Sequence, residues 1–508
     1  MVLEIITMKF PSLFGNKHAA PTSVQHSAIY LHNTLGNERQ EFTLPVRVRE
    51  VRMYNCGPTV YGVQHIGNLS MFVFTDVLRR TLEYNGFKVK QVINITDFGH
   101  LSGDNEGDAD AGEDRMTKGL KREKMPLTME NMAKLGEKYA ALFIDDLKLL
   151  NIATDAIEFP RASAYIKAQI AMIQTLIEKA YAYQTAHGVY FDTSRFPGYG
   201  ALGGIDMKGQ KEGARVAKNY EKRNPHDFVL WKSDPKLGWE SPWGLGFPGW
   251  HIECSAMIRS ILGEQIDIHT GGIEHIPIHH NNEIAQSESS TGKKPMSRFW
   301  LHRAHIQIDG GKIGKSVGNV VYMSDVTAQG YHPLALRYLF LGAHYRTSAN
   351  FSWGALAASQ TAFAKLVAIS MHYKDLKAGK IPPAWQTKFL ERINDDLDTP
   401  GALAIVWEMI KDKELAPEDL LAGLLDFDRV LGLNLATPDE AAQKLAAGEL
   451  KEEVQLNDLT VEARTLIEER EQARRDRSWD KADELRRHID ALGFTIEDTK
   501  DTVRIFKK

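Results

Sequence analysis

The sequence predicts an α/β protein: a nucleotide-type parallel sheet with an insertion, then a run of helices, then a small terminal domain. Three observations carry that reading. VRMYNC (51–56) and KVKQVINIT (88–96) are short apolar runs of strand length. Between them, IGNLSMFVFTDVLRRTLEYNGF places Leu69, Phe72, Val73, Val77 and Leu82 at helical spacing, with Gly86 as a stop. Strand, helix and strand so close in sequence make a βαβ unit, and such units build parallel sheets. From residue 354 the pattern turns mostly helical.

In chain order, residues 1–45 are turn-rich, weakly patterned and expected to be an N-terminal extension. Residues 46–305 hold the sheet, with an insertion over about 103–225. The acidic stretch GDNEGDADAGED (103–114) invites a calcium hand, but starting at Asp104 puts Ala109 where the sharp turn needs glycine. A solvated loop is the plainer expectation. RASAYIKAQIAMIQTLIEKAYAY (161–183) predicts an amphipathic helix with Ile166, Ile170, Ile173 and Ile177 on one face. Residues 185–247 suggest short strands and turns; EQIDIHTGG (264–272) and LHRAHIQIDGG (301–311) suggest two more strands. Residues 306–353 form a connecting region, 354–435 a helical bundle, and 436–508 a linker (about 436–458) and terminal domain. That domain is expected to hold two helices, near 460–476 and 479–492, and a short β tail.

Composition narrows the class without naming a function. A chain of 508 residues is too long for one core. Two cysteines exclude a secreted disulfide scaffold and fit a reducing cytoplasm, so a cytoplasmic location is expected. MVLEIITMKFPSLFGNKHAA carries Glu4 and no long apolar core, unlike a signal peptide. No apolar run is expected to approach membrane-spanning length, so no membrane partner is expected. The net charge of −4 leaves nucleic acid open, because binding needs a local basic face and not a basic average.

His65-Ile66-Gly67-Asn68 falls where the first strand's loop enters the following helix. A helix start offers unpaired N–H groups and positive potential, a ready anion site, although a histidine and glycine there also serve as plain caps. Far downstream, Gly310-Gly311-Lys312-Ile313-Gly314-Lys315-Ser316 follows a strand. Two lysines on a glycine-rich loop can fold over a polyphosphate, or can simply be an exposed basic turn. The spacing is not that of a P-loop.

GWHIECSAM (249–257) holds the second cysteine, Cys254, and IPIHHNNEIAQSES (276–289) offers His279 and Glu283 on one helix face. With Cys56 they make a four-ligand set of types that zinc accepts, thiolates favouring zinc over magnesium or calcium. Inert buried thiols are the alternative, and His280 is an alternative to His279.

Together, CGPTVY, HIG, NITD, GWHIECSAM, DIH-GG, HH-NEIAQS and K-x-x-KS resemble cysteinyl-tRNA synthetase, a class I aminoacyl-tRNA synthetase, in order from about residue 50 to 352 and more loosely beyond. The resemblance implies a Rossmann-type catalytic domain with a connective insertion, a stem-contact region bearing the KIGKS loop, a helical bundle and an α+β anticodon-binding domain. It implies one zinc per subunit on Cys56, Cys254, His279 and Glu283, binding the substrate thiolate. It further implies that Cys56, Thr96, Trp250 and His269 surround the cysteine. His65, Gly67, Asn68 and Lys315 would meet ATP with its magnesium, and His65, Asn68, Lys312, Lys315 and Ser316 would serve catalysis. The implied reaction makes cysteinyl-adenylate from L-cysteine and ATP, then transfers the cysteinyl group to tRNA(Cys). A monomer is expected. In the terminal domain, Arg474, Arg475 and Trp479, beside Arg470 and Arg477, are candidates for tRNA contact, arginine suiting phosphates and tryptophan suiting base stacking. A salt-bridged helix pair is the plain alternative there.

Two motifs depart from the family pattern: Asn68 stands where histidine is usual, and K-I-G-K-S, with Ile313 and Gly314, where K-M-S-K-S is usual. NITD also runs into FGHLSGD in place of further acids. Three other readings compete: a tRNA-independent cysteine ligase acting on a sugar amine, as in mycothiol biosynthesis; a zinc hydrolase; and an inactive RNA-binding paralogue. The tail at 460–508 separates the first from the leading reading. The hydrolase lacks H-E-x-x-H and an open metal position.

Overall fold

The computed structural model describes residues 28–44, 48, 50–98, 114–204, 222–308, 310–312, 319–449, 452–453, 456, 459–476, 478–498 and 503–507. Its centre is a five-stranded, all-parallel sheet in the order Ser297–Arg303, Ile266–Gly272, Glu50–Asn55, Lys88–Ile93, Ile157–Glu158. The first strand in sequence therefore sits in the middle, flanked on one side by the second and on the other by the fourth. That reversal of strand order is the doubly wound switch point, where a crevice opens beyond the carboxyl ends of the strands. Both faces are covered, so apolar residues such as Val51, Met53 and Tyr54 are buried along the strands, together with polar ones such as Asn55, Gln91, Asp267 and His269.

The helix Ile66–Tyr84 follows the central strand, as its periodicity predicts, with Leu69, Phe72, Val73, Val77 and Leu82 all buried. Gly86, at φ +84°, supplies the left-handed turn that ends it. A second sheet is antiparallel: Ala182–Gln184, Gly188–Phe191, Phe228–Ser233 and Gly246–Pro248. The small sheet Gly311–Lys312, Ile306–Ile308, Ala349–Phe351 follows the last parallel strand. Helices Trp353–His372, Pro383–Ile393, Thr399–Lys411 and Pro417–Leu431 then pack around Phe363, Phe389, Val406 and Phe427. Helices Val461–Arg475 and Trp479–Ala491 and the strands Phe494–Asp498 and Val503–Lys507 close the chain.

Four expectations need correction. The weakly patterned N-terminal stretch contains a hairpin, Tyr30–Asn33 with Glu38–Glu41, anchored by the Tyr30 N–H on the Asn394 carbonyl. The amphipathic helix is shorter than predicted, Ile166–Glu178, with Ala162–Tyr165 a tight turn and Ala182 onward already strand. Ala180, at φ +60°, breaks it. The linker contains a helix, Glu440–Glu449, whose Ala442 and Ala446 are buried in the bundle core. Finally, Trp353–His372 is the one described helix long and apolar enough to cross a membrane. Its Leu356, Phe363, Leu366 and Val367 lie fully buried among other elements, a core assignment. The acidic stretch 103–113 lies outside the described residues; Asp114 caps the helix Arg115–Arg122 by accepting from the Thr117 N–H at 2.9 Å.

Candidate active site

The crevice at the switch point is where the chemistry-bearing residues meet. Cys56 stands one residue past the central strand, its N–H bonded to the Thr270 carbonyl of the neighbouring strand at 3.0 Å. Gly57 follows because the chain passes hard against residue 94: a Cβ there would lie 1.6 Å from the Asn94 carbonyl oxygen. Cys254 comes from the helix Trp250–Ile261, and His279 and Glu283 from adjoining turns of one helical run, Ile276–Thr291.

All four predicted ligands are buried, and their ligand atoms lie within 4.8 Å of one another. His279 Nε2 is 3.0 Å from Glu283 Oε1 and 3.6 Å from Cys254 Sγ, and Cys56 Sγ is 3.7 Å from Glu283 Oε1. Zinc bonds of about 2.0 Å to nitrogen or oxygen and 2.3 Å to sulfur give tetrahedral edges of roughly 3.3–3.8 Å. The donor set fits zinc in type and in spacing. His280, the alternative ligand, belongs to a second overlapping group with Cys56, His269 and Glu283.

Electrostatics point the same way. Burial opposes the charge on Glu283, but His269 and His279 hold its carboxyl far below the usual range. Burial likewise opposes charge on His279, yet Glu283 and Cys254 push it up to about 9. Cys254, despite burial, is brought down to about 6 by the Cys56 thiol and His279, whereas burial and the same thiol–thiolate contact push Cys56 well up. Protons thus occupy positions that a metal would take.

Sequence reasoning missed the shell around this set. His251 Nδ1 lies 2.8 Å from His279 Nδ1, and His302 Nε2 lies 2.7 Å from His280 Nδ1. Both sat inside quoted motifs, GWHIECSAM and LHRAHIQIDGG, but a lone buried histidine gives no spacing signal. Burial depresses His251, His280 and His302, leaving them neutral imidazoles. Of the predicted cysteine-pocket residues, Trp250 packs its ring 4.0 Å from that of His279, and His269 Nε2 clasps Glu283 Oε2 at 2.9 Å. Thr96 donates to Glu253, the neighbour of Cys254.

Nine positions after Cys56 in sequence, His65 caps the helix Ile66–Tyr84 by accepting from the Asn68 N–H at 3.2 Å. Gly67 is half-buried and Asn68 exposed on the first turn. The turn pairs with the chain leaving the lysine loop: the Ile66 N–H donates to the Val321 carbonyl at 2.9 Å, and His65 bridges Tyr322. Residues 313–318, with Lys315 and Ser316, lie outside the described residues, as does the Lys312 side chain. In the terminal domain, Arg470 pairs with Glu471 at 2.6 Å, Arg474 lies 3.5 Å from the same carboxylate, and Arg475 bonds Gln472 at 2.7 Å. Trp479 is 59% exposed, an aromatic face open to stacking.

Residues 42–361 match the model of the class I (C) tRNA synthetase catalytic domain, and residues 456–505 that of the cysteinyl-tRNA ligase anticodon-binding domain. The cysteine–tRNA ligase 1 of Burkholderia lata is 41% identical over 94% of this chain and 96% of its own length. The chain belongs to the cysteinyl-tRNA synthetase family. The cysteine–tRNA ligase of Treponema denticola is 37% identical over 93% of this chain and 98% of its own. Methionyl-tRNA synthetase of Mycobacterium tuberculosis, solved with methionyl-adenylate, superposes with a TM-score of 0.52 at 14% identity, over 78% of this chain and 93% of that one. At that identity the likeness is one of fold.

Proposed function

We propose that the protein joins L-cysteine to tRNA(Cys) through cysteinyl-adenylate, using ATP with magnesium. The observation that carries this reading is a juxtaposition. Cys56, in a buried donor set suited to zinc, stands nine positions before His65, at a helix start suited to phosphate. The thiol end and the phosphate end of one reaction are thereby held on one loop. Cys56, Cys254, His279 and Glu283 would hold a zinc ion, which would supply an electrophile that takes a thiolate far better than an alcohol and so a basis for preferring cysteine over serine.

The chain's own residues do the rest by positioning and electrostatics. Trp250 walls the donor set and His269 holds Glu283 in place. The positive end of the helix Ile66–Tyr84, with Gly67 admitting close approach, would meet the ATP phosphates, the Ile66 and Asn68 N–H groups being already used by the Val321 carbonyl and His65. His65 sets that turn, Asn68 offers an amide, and Lys312, Lys315 and Ser316 are assigned to stabilising charge as pyrophosphate departs. The terminal domain, with Arg474, Arg475 and the exposed Trp479, takes the tRNA. That domain favours tRNA over a sugar amine as the acceptor. The chain is expected to act as a monomer in the cytoplasm.

Cysteine-dependent ATP–pyrophosphate exchange, with tRNA charging measured alongside, tests the reading. Both activities are expected. Absence of exchange rejects either ligase and supports an inactive RNA-binding relative, while exchange with transfer only to a sugar amine supports the tRNA-independent ligase.

A further inference from the structure

The N-terminal hairpin touches the buried cluster through a single chain of hydrogen bonds. Thr34, in the hairpin turn, holds its Oγ1 2.7 Å from His302 Nδ1. His302 Nε2 lies 2.7 Å from His280 Nδ1, and His280 Nε2 lies 3.3 Å from Cys56 Sγ. Both histidines are buried.

We propose that Thr34 is a positioning residue of the metal site: through His302 it fixes the tautomer of His280 and so keeps an N–H on the Cys56 sulfur. The proposal rests on the zinc reading above. A neutral imidazole carries one N–H and one lone pair, so such a chain has two polarities. In one, the Thr34 hydroxyl donates to His302 Nδ1, His302 Nε2–H donates to His280 Nδ1, and His280 Nε2–H donates to sulfur. In the other every bond is reversed, and His280 offers a lone pair to Cys56, which then must keep its thiol proton. A metal-ligating cysteine is a thiolate, which selects the first polarity. A hydroxyl is the right end group, because it rotates to donate.

Ring placement does not depend on the hydroxyl. A Cβ at residue 271 would stand 2.6 Å from His280 Cε1, and the Trp300 ring lies 4.9 Å from that of His280, so packing holds the ring. The Thr34 backbone is held separately, its N–H donating to the Trp300 carbonyl at 2.8 Å, while the neighbouring Asn33 side chain bonds the Arg298 carbonyl and Trp300 N–H at 2.9 Å each. What remains for Thr34 is the proton's location. An N–H on one thiolate tempers the negative charge of a set holding two thiolates and a carboxylate, and leaves the metal more receptive to a further thiolate.

Two-bond ¹H–¹⁵N spectra of the full-length, zinc-loaded protein labelled at histidine read the tautomer directly. Wild type and Thr34→Ser are expected to show His280 protonated at Nε2 and bare at Nδ1. Thr34→Val, which keeps the shape and removes the hydroxyl, is expected to show mixed tautomers and about tenfold weaker zinc binding in chelator competition. Rescue by serine separates the hydroxyl from mere packing. A His280 protonated at Nδ1 in the zinc-loaded wild type overturns the proposal whether or not the valine variant folds. So does a valine variant with unchanged tautomer and affinity. A wild type that takes up no zinc overturns the zinc reading and this proposal with it; zinc uptake with the wrong tautomer overturns the relay alone.

Discussion

Two of the buried polar clusters among the described residues are built on opposite plans. At the junction of the sheet and the helical bundle, Asp76 accepts from Arg79, Arg80 and Arg337, each at 2.7 Å. Arg337, itself wholly buried, also donates to the Leu431 and Leu150 carbonyls, so its three nitrogens are all used. At the switch point, buried atoms remain without a hydrogen-bond partner: Tyr54 Oη, His251 Nε2, Glu253 Oε2 and His269 Nδ1. Donors there are gathered around one point and protons stand in for a cation. The first cluster pairs its charges within itself, with Arg79 Nε left over as a buried nitrogen without a partner, and fastens two bodies of structure together. The second is complete only with something added, which is what a binding site requires.

The sharpest way to break the contrast is to remove one member of each cluster. Cys254→Ser is expected to abolish stoichiometric zinc, measured by elemental analysis, and to lower charging by about a thousandfold or more, since a serine hydroxyl is a poor zinc ligand. A full zinc complement in that variant would reject the ligand set. Asp76→Asn should leave zinc in place and cost about 3–5 kcal/mol of stability by denaturant titration, because it strands buried guanidinium charge. If both variants lose zinc and stability alike, the two clusters are not distinct in kind. The acid behaviour of Asp76 carries a definite sign. Burial works to raise its pKa, but Arg337, Arg80 and Arg79 bring it down to about 2. Its contribution is therefore present above the unfolded value near 3.9 and is lost as pH falls toward about 2.

Proton competition gives the next largest effect. A metal must displace a proton from His279, held up to about 9, and another from Cys56, which is held higher than usual. Zinc affinity in chelator competition should accordingly climb with pH up to about 9, by about a hundredfold per pH unit with two protons displaced. A flat profile between pH 6 and 8 would mean that neither group is protonated in the metal-free protein.

The two clusters also differ in how legible they were. The candidate metal set stood out through scarce residue types, two cysteines in the whole chain and His279 and Glu283 four apart, with His280 and inert buried thiols left open as alternatives. The sheet was equally plain from its βαβ unit, because both periodicities are local. Nothing local marks Asp76 or Arg337, which read as an ordinary polar position on one helix and a basic one on another. Their meaning lies in a contact across 261 positions of sequence. The same holds for Thr34 and His302, 268 positions apart. The hairpin was missed because its strands are only four residues long and the second, Glu38–Glu41, is almost wholly exposed, so burial imposes no alternation.

The smallest effect expected is at Asn68, where a gain is the informative outcome. Its backbone N–H already serves His65, so the turn's shape does not depend on the side chain. That side chain is exposed on the first helical turn, beside the positive end of the helix. An asparagine amide there can donate to a phosphate oxygen but cannot carry charge, whereas a histidine can do both. Asn68→His should therefore raise the rate of ATP–pyrophosphate exchange by a few-fold, up to about tenfold, as expected for one stronger charge-assisted hydrogen bond. The KM for cysteine should stay unchanged, because the thiol end of the site lies with Cys56 and its partners. A drop in rate would show that the lysine loop or its flank at Val321 and Tyr322 has been shaped around the neutral residue. In that event the departure at residue 68 is part of the site's design and not a loss from it.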